Sequence, residues 1–347
     1  MFTGMSTEIT TEAVFPGLVE PAGIELRTRP RPAPDRGQAL VTVEASGISF
    51  AEQAMRRGRY PGQPKFPFVP GYDLVGTVTG LGPGADPELL GRRVAAMTKT
   101  GGWASHALLP AADLVPVPAG LDPGEAETLV VNGVTAWQML HRQARVRPGQ
   151  TILVHGASGG VGTVLVQLAL HHGARVIGTA SPRHHEALRE LGAIPLDYKD
   201  QDLTARVREH APDGVDAVFD HLGGESAQRS WQLLAPHGTL VCYAVAAATA
   251  GTGSIWPPFL ATVGRVLWWN ALPNGKKATF YDLWRGHRLR PAAFRARTRQ
   301  DLTAVLNLLA AGVLTAQVAA RLPLSEVRAA MELAESHTAY GKVVLIP

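Results

Sequence analysis

Cysteine is almost missing: Cys242 is the single one in 347 residues. One thiol closes no internal disulfide and supplies no cluster of thiolates for a structural zinc site. A strong charge of either sign is missing too, with 33 Lys and Arg against 29 Asp and Glu and a net charge of +4. The densest basic run, RGHRLRPAAFRARTR at 285–299, has few interleaved aromatics, so it reads as a solvated surface and not as a nucleic-acid footprint. No long apolar run suits a bilayer, because the best window, SIWPPFLATVGRVLWWNAL at 254–272, holds two prolines and Arg265. MFTGMSTEITTEAVF lacks a basic segment followed by an apolar core, so no signal peptide is expected. These absences lead to the expectation of a cytoplasmic protein with neither a membrane nor a nucleic-acid partner.

What is present is core-forming material: 46% hydrophobic and 18% charged residues, in a chain long enough for about two domains. Up to about residue 130 the signals are short and β-like. GQALVTVEASGIS (37–49) alternates apolar and polar residues, and GYDLVGTVTGLG and GRRVAAMT read as further strands. This part is expected to form a small barrel of antiparallel strands. From about 148 strands alternate with helices: TILVHGA, ARVIGTA, AIPLDY, VDAVFDHL and GTLVCYAV are the strands. That spacing predicts a parallel, doubly wound sheet. Residues 250–296, with Trp256, Phe259, Trp268, Trp269, Phe280, Tyr281 and Trp284, fit no clear period. They read as an aromatic-rich insertion, with a lid, a dimer contact and a packed core element all open. RQDLTAVLNLLAAG and LSEVRAAMELAES read as helices, and GKVVLIP as a closing strand.

The stretch TILVHGASGGVG at 151–162 runs from an apolar strand into a turn almost bare of side chains. In a parallel sheet the first strand-to-helix turn is the usual phosphate site, and a helix N-terminus offers unpaired N–H groups there. The dinucleotide fingerprint G-x-G-x-x-G appears as Ala157-x-Gly159-x-x-Gly162, flanked by Gly156, Ser158, Gly160 and Val161. Gly159 lets the backbone reach a pyrophosphate, and Gly162 lets the helix pack close to the strand. The next strand ends in Thr179, Ala180 and Ser181, with Arg183 close behind, where an NAD-specific site wants a carboxylate. A hydroxyl and a guanidinium suit a 2′-phosphate, so NADPH is the expected cofactor. Ser181 equally suits a helix cap before Pro182.

Taken with SGISFAEQAMRRGRYP (46–61), FVPGYDLVGTV (68–78), NGVTAWQML (132–140), FDHLGG (219–224) and GKVVLIP (341–347), these stretches resemble the medium-chain dehydrogenase/reductase superfamily. The likeness is to its zinc-free, quinone oxidoreductase-like (ζ-crystallin-like) branch and covers most of the chain outside about 245–300. It implies an α/β fold with a GroES-like β-barrel domain at 1–130 and a Rossmann NADPH-binding domain at 131–296, the insertion near 250–296 included. Residues 297–347 would return to the first domain, and a cleft between the domains would hold the nicotinamide. It further implies Thr135 near the nicotinamide, Ser181, Arg183 and Tyr198 around the 2′-phosphate, Lys342 near the cofactor, and a homodimer.

Zinc-using relatives carry a cysteine where this chain reads GISFAE, so no metal is expected. The His171–His172 and His184–His185 pairs do not alter that, since adjacent helix residues point apart. Where relatives often have asparagine and aspartate, Ser49 and Glu52 stand here, and Ala54 replaces a common tyrosine. Ser49 and Tyr60 are the candidate catalytic groups for an oxyanion that forms without a Lewis acid. Each also has a plain structural reading, Ser49 as a helix cap and Tyr60 as a loop cover. Glu52 reads as a solvated helix residue, and Asn132 and Tyr72 are weaker candidates. His221 and Tyr243, at strand ends, are candidates to touch the cofactor. The implied activity is NADPH-dependent reduction of an enone or quinone of a small to medium apolar molecule. An enoyl-thioester reductase is the alternative within that chemistry. A non-redox protein of the same fold, a biosynthetic cyclase or a dinucleotide-binding protein, is the alternative outside it.

Overall fold

The computed structural model describes residues 8–246, 254–336 and 338–347. The chain divides into two units, residues up to 131 together with 290–347, and residues 132–289.

In the first unit β1 (Ile9–Val14) pairs antiparallel with β2 (Glu25–Pro30). The eleven-residue β3 (Gln38–Ile48) pairs with β4 (Asp73–Leu81) and β6 (His106–Pro110). β5 (Arg93–Met97) then joins β4 to the short β7 (Val115–Pro116). The period of two along β3 turns Ala39, Val41 and Val43 to one face, where they meet Leu74, Val78, Val94 and Leu109 in the core.

The second unit is a parallel sheet. Its strands are β8 (Thr151–His155), β9 (Arg175–Ala180), β10 (Ile194–Asp197), β11 (Val215–Asp220), β12 (Leu234–Cys242) and β13 (Lys277–Phe280), in the order β10-β9-β8-β11-β12-β13. From β8 the chain winds outward to β9 and β10, then crosses back to β11. The switch point therefore lies between the carboxyl ends of β8 and β11, where open α/β sheets bind ligands. Helix 160–171 buries Val164, Leu165, Val166, Leu168 and Ala169, the continuous face its composition demands.

Residues 250–296 differ from the expected irregular insertion. Residues 250–253 lie outside the described residues, Trp256–Ala271 is a helix, and Lys277–Phe280 is β13, a member of the sheet. Pro257 and Pro258 sit in the first helical turn, where proline is tolerated. The period was hidden because both faces are apolar: Val266 and Trp269 are buried while Leu260, Leu267 and Trp268 are exposed. Trp269 stacks on Trp231 at 5.1 Å, so it belongs to the core.

The chain then re-enters the first unit. Helix 291–310 starts eight residues before the stretch its pattern marks, opened by Pro291, with Phe294 and Thr298 of the basic run buried. β14 (Val318–Pro323) pairs parallel with β15 (Lys342–Ile346), and β15 runs antiparallel to β3, with Val344 opposite Gly47. The full sheet order is β14-β15-β3-β4-β5-β7, with β6 beside β3.

Candidate functional site

Each glycine of the turn after β8 has its own geometry. Gly156 has φ +68°, a conformation costly for other residues, and a Cβ there would lie 2.6 Å from the His221 ring. At Gly162 a Cβ would run into the Gly156 carbonyl oxygen and the Ala157 backbone, so its bareness seats the helix on the turn. At Gly160 a Cβ would lie 2.6 Å from Asn132 Nδ2. Gly159 differs from these. Its φ of −83° and ψ of 173° suit any residue, and a Cβ would meet only the Gly156 oxygen at 3.4 Å, an ordinary contact. The protein itself gives no steric reason for glycine at this exposed position. Gly159 caps helix 160–171 without a side chain, and Gly160, Val161 and Gly162 follow in its first turn. N–H groups at such a terminus lack intrahelical acceptors and carry partial positive charge. Ala157 is buried, and Ser158 is half-buried between it and Gly159.

At the ends of β9 and β10, Ser181 and Tyr198 follow the register partners Ala180 and Asp197, and Arg183 lies two residues beyond Ser181. Asp197 is opposite Ala180 in the register, and the Tyr198 N–H donates to the Ala180 carbonyl at 3.4 Å. Arg183 is exposed and Tyr198 is 50% exposed. Ser181 occupies a cap position, yet its hydroxyl makes no capping hydrogen bond. Partial burial, with Arg183 and His185 adding to it, holds His184 below the usual histidine range. That fits a locally positive strand end. Thr179 is not part of this surface: it is buried under the turn.

That burial exposes a network the sequence reading missed. His155 Nδ1 lies 3.2 Å from Thr179 Oγ1, and His155 Nε2 lies 3.1 Å from Ser230 Oγ. Thr179 Oγ1 accepts the Gly156 N–H at 3.3 Å, and Ser230 donates to Asp220 at 2.9 Å. Asp220 also accepts from Ser226 at 2.7 Å and from the Leu222 and Gly223 N–H groups at 2.8 and 2.9 Å, which fixes the turn carrying His221. Burial opposes charge on Asp220, but the Gly223 N–H and the two serines hold its carboxyl below the usual range. Burial pushes His155 down, towards the neutral ring. Tyr243, 5.9 Å from the His221 ring, has its phenol pushed up by burial and by Asp220. Thr135 and Asn132 are buried on helix 131–137.

In the first unit Ser49, Glu52, Tyr60 and Tyr72 form one connected set. Ser49 caps helix 50–56 in a capping box: its Oγ accepts the Ala51 N–H at 3.1 Å, and Glu52 accepts the Ser49 N–H at 2.8 Å. The Ser49 hydroxyl also bonds Glu52. Glu52 is fully buried, which corrects the expectation of a solvated residue. The second carboxylate oxygen accepts the Tyr72 N–H at 2.6 Å, tying the helix to β4, and burial pushes its carboxyl up. The Tyr60 and Tyr72 hydroxyls bond each other.

Lys342, at 3% exposure, donates to both Asp73 oxygens at 2.9 and 2.7 Å and to Glu127 at 2.7 Å. Its three N–H groups are thereby matched, so any effect on a cofactor would run through this cluster and not through a direct hydrogen bond. Although burial works against it, Asp73 and Glu127 hold the ammonium well above lysine's usual range. Burial and the neighbouring Asp73 push Glu127 well up. No signal in the sequence paired residues this far apart.

Among the described residues no three His, Cys, Asp or Glu side chains converge where they could hold a metal ion. Cys242 is buried in β12, where burial pushes its thiol up. No helix among the described residues is long and apolar enough to cross a membrane.

Residues 35–119 match the family model of the alcohol dehydrogenase GroES-like domain, and 191–345 match that of a zinc-binding dehydrogenase. The chain is 31% identical over 336 residues to the synaptic vesicle membrane protein VAT-1 homolog of Rattus norvegicus, covering 93% of this chain and 81% of the relative. It is 30% identical over 335 residues to a 2-haloacrylate reductase of a Burkholderia species, covering 91% and 92%. A mycobacterial protein solved as a complex with NADPH superposes with a TM-score of 0.82 at 29% identity, over 97% of this chain and 100% of the other. Fold, matched domains and relatives agree: the chain belongs to the medium-chain dehydrogenase/reductase superfamily of oxidoreductases, in its quinone oxidoreductase-like branch.

Proposed function

We propose that this chain is a zinc-independent, NADPH-dependent reductase of an enone or quinone in a small to medium apolar molecule, acting in the cytoplasm as a homodimer. The observation that carries the reading is Gly159, a glycine that neither its backbone angles nor its neighbours require. A missing side chain at a helix N-terminus of the switch-point turn is explained by a ligand whose phosphates come against the backbone. Ser181, Arg183 and Tyr198 supply a hydroxyl, a guanidinium and an aromatic face at the end of β9, with no carboxylate at Thr179–Ser181 to repel a 2′-phosphate. The NADPH held by the mycobacterial neighbour supports the same choice.

NADPH, when bound, supplies the hydride. The protein's share is to fix the dinucleotide through the turn, to shield it with the buried groups around His221 and Tyr243, and to stabilise the oxyanion that forms on the acceptor. Hydroxyl donors suffice for that in an enone or a quinone, where negative charge spreads over a conjugated system. Tyr60, paired with the Tyr72 hydroxyl, and Ser49 are the candidate donors; Ser49 gives its one hydroxyl hydrogen to Glu52 and can donate to substrate only when Glu52, whose carboxyl burial pushes up, carries a proton of its own. The Burkholderia relative, a 2-haloacrylate reductase by name, points to an alkene activated by a neighbouring carbonyl. Zinc has no role in this reading, since GISFAE stands where zinc-using relatives carry a cysteine ligand.

The test is consumption of NADPH against a panel of quinones, enones and enoyl thioesters. Turnover with quinones or enones is expected. Turnover confined to enoyl thioesters would favour a thioester reductase, and binding without consumption across the panel would favour the non-redox alternative.

A further inference from the structure

We propose that His155 is a positioning residue: a neutral Nε2–H imidazole that carries a one-way line of hydrogen bonds from the buried Asp220 carboxylate to the Gly156 N–H, and so fixes the turn that receives the dinucleotide. The proposal rests on the reading of that turn as a dinucleotide site. Counting hydrogens fixes the bonds from Asp220 to His155 Nε2, and a neutral ring then fixes those at Thr179. Asp220 accepts from four donors, the Leu222 and Gly223 N–H groups and the Ser226 and Ser230 hydroxyls. Ser230 has one hydroxyl hydrogen and gives it to Asp220, so towards His155, 3.1 Å away, its oxygen can only accept. His155 Nε2 must therefore carry the proton. In a neutral ring Nδ1 is then an acceptor, and it takes the Thr179 hydroxyl hydrogen at 3.2 Å. That leaves the Thr179 oxygen lone pairs for the Gly156 N–H at 3.3 Å.

The line closes on itself. The same carboxylate that starts it also holds the turn on which His221 sits, and the His221 ring covers Gly156, where a Cβ would lie 2.6 Å away. Gly156 is thus fixed from beneath by Thr179 and from above by His221, both referred to Asp220. Thr179 further holds the turn by accepting the Ala157 N–H at 2.9 Å on its carbonyl. With its left-handed φ of +68°, Gly156 is the residue at which the turn departs from β8, so its placement sets the path towards Gly159. Reversing any one hydroxyl would put two lone pairs or two hydrogens face to face in a buried site, which is why the line has one polarity.

Two measurements test it. With the histidines labelled with nitrogen-15 at pH 7, His155, identified by the signal lost in His155→Gln, is expected to show a protonated Nε2 and a bare Nδ1. A protonated Nδ1, alone or with Nε2, overturns the proposal. In calorimetric titrations with NADPH, Thr179→Val and Ser230→Ala are each expected to weaken binding about tenfold, the scale of one buried partner lost, while Thr179→Ser stays within about twofold of the parent chain. Ser230→Ala is the remote variant: Ser230 touches His155 and Asp220 and reaches Gly156 only through them, by the hydrogen-bond line on one side and by the Asp220-held turn of His221 on the other. Parent-like affinity in both Thr179→Val and Ser230→Ala overturns the positioning role. A parent chain without NADPH affinity contradicts the dinucleotide reading instead, and the histidine spectrum still decides the hydrogen-bond line by itself.

Discussion

Arg183 stands exposed two residues after Ser181 at the end of β9, with Tyr198 just past the end of the adjoining β10. A guanidinium there gains from a 2′-phosphate and has nothing comparable to gain from a ribose hydroxyl. Arg183→Ala is therefore expected to raise the dissociation constant for NADPH about tenfold or more while changing that for NADH less than twofold, as read by fluorescence titration. Equal losses for both nucleotides would remove Arg183 from phosphate recognition. At this scale the sequence marked the locally patterned half of the candidate site. Ala157, Gly159 and Gly162 form a short-range pattern, and Ser181 and Arg183 follow a strand whose end is evident. It did not carry the buried half. His155 and Ser230 are 75 positions apart, and Lys342 is 269 positions from Asp73. Partners so distant are joined only by the crossing of strands. Glu52 was misjudged for a related reason, because its N3 place in a capping box is local but its burial against Tyr72 is not.

β1, β2, β6 and β14 were not legible in the sequence, whereas most of the alternating strands and helices of the second unit were. Helix 256–271 was not, since it presents apolar residues on both faces. Trp256, Leu260 and Leu267 are exposed along one side at helical spacing, and Trp268, 66% exposed, adjoins that side about 100° round the helix from Leu267. Among the described residues β13 ends the sheet beside them, pairing with β12 on one edge. An apolar stripe next to an open edge strand suits an isologous contact, in which two copies about a twofold axis cover each other's stripe. We propose this element as the homodimer contact. Light scattering of the parent chain is expected to give twice the chain mass, and Trp268→Glu to give monomers of unchanged helical content. A parent chain that runs as a monomer, or a Trp268→Glu dimer, would contradict it.

For the whole molecule, the change of rhythm near residue 148 was enough to separate a barrel-like unit from a doubly wound one, because parallel strands need crossover helices and antiparallel ones do not. The return of the C-terminal segment was legible only through family resemblance. In the structure it has a physical basis: β15 completes the sheet against β3 and brings Lys342 to Asp73 and Glu127. The account as a whole depends on what the bare turn after β8 holds, and Gly159→Asp separates ligand from scaffold there. Aspartate is a favoured N-cap, and its charge suits the helix terminus, so folding stability should hold or rise by roughly 0.3–1 kcal/mol. The same carboxylate would occupy and repel the place of a diphosphate. Calorimetry is expected to record saturable NADPH binding to the parent chain and none to Gly159→Asp, with an unlowered unfolding midpoint. Undiminished NADPH binding by Gly159→Asp would contradict the account.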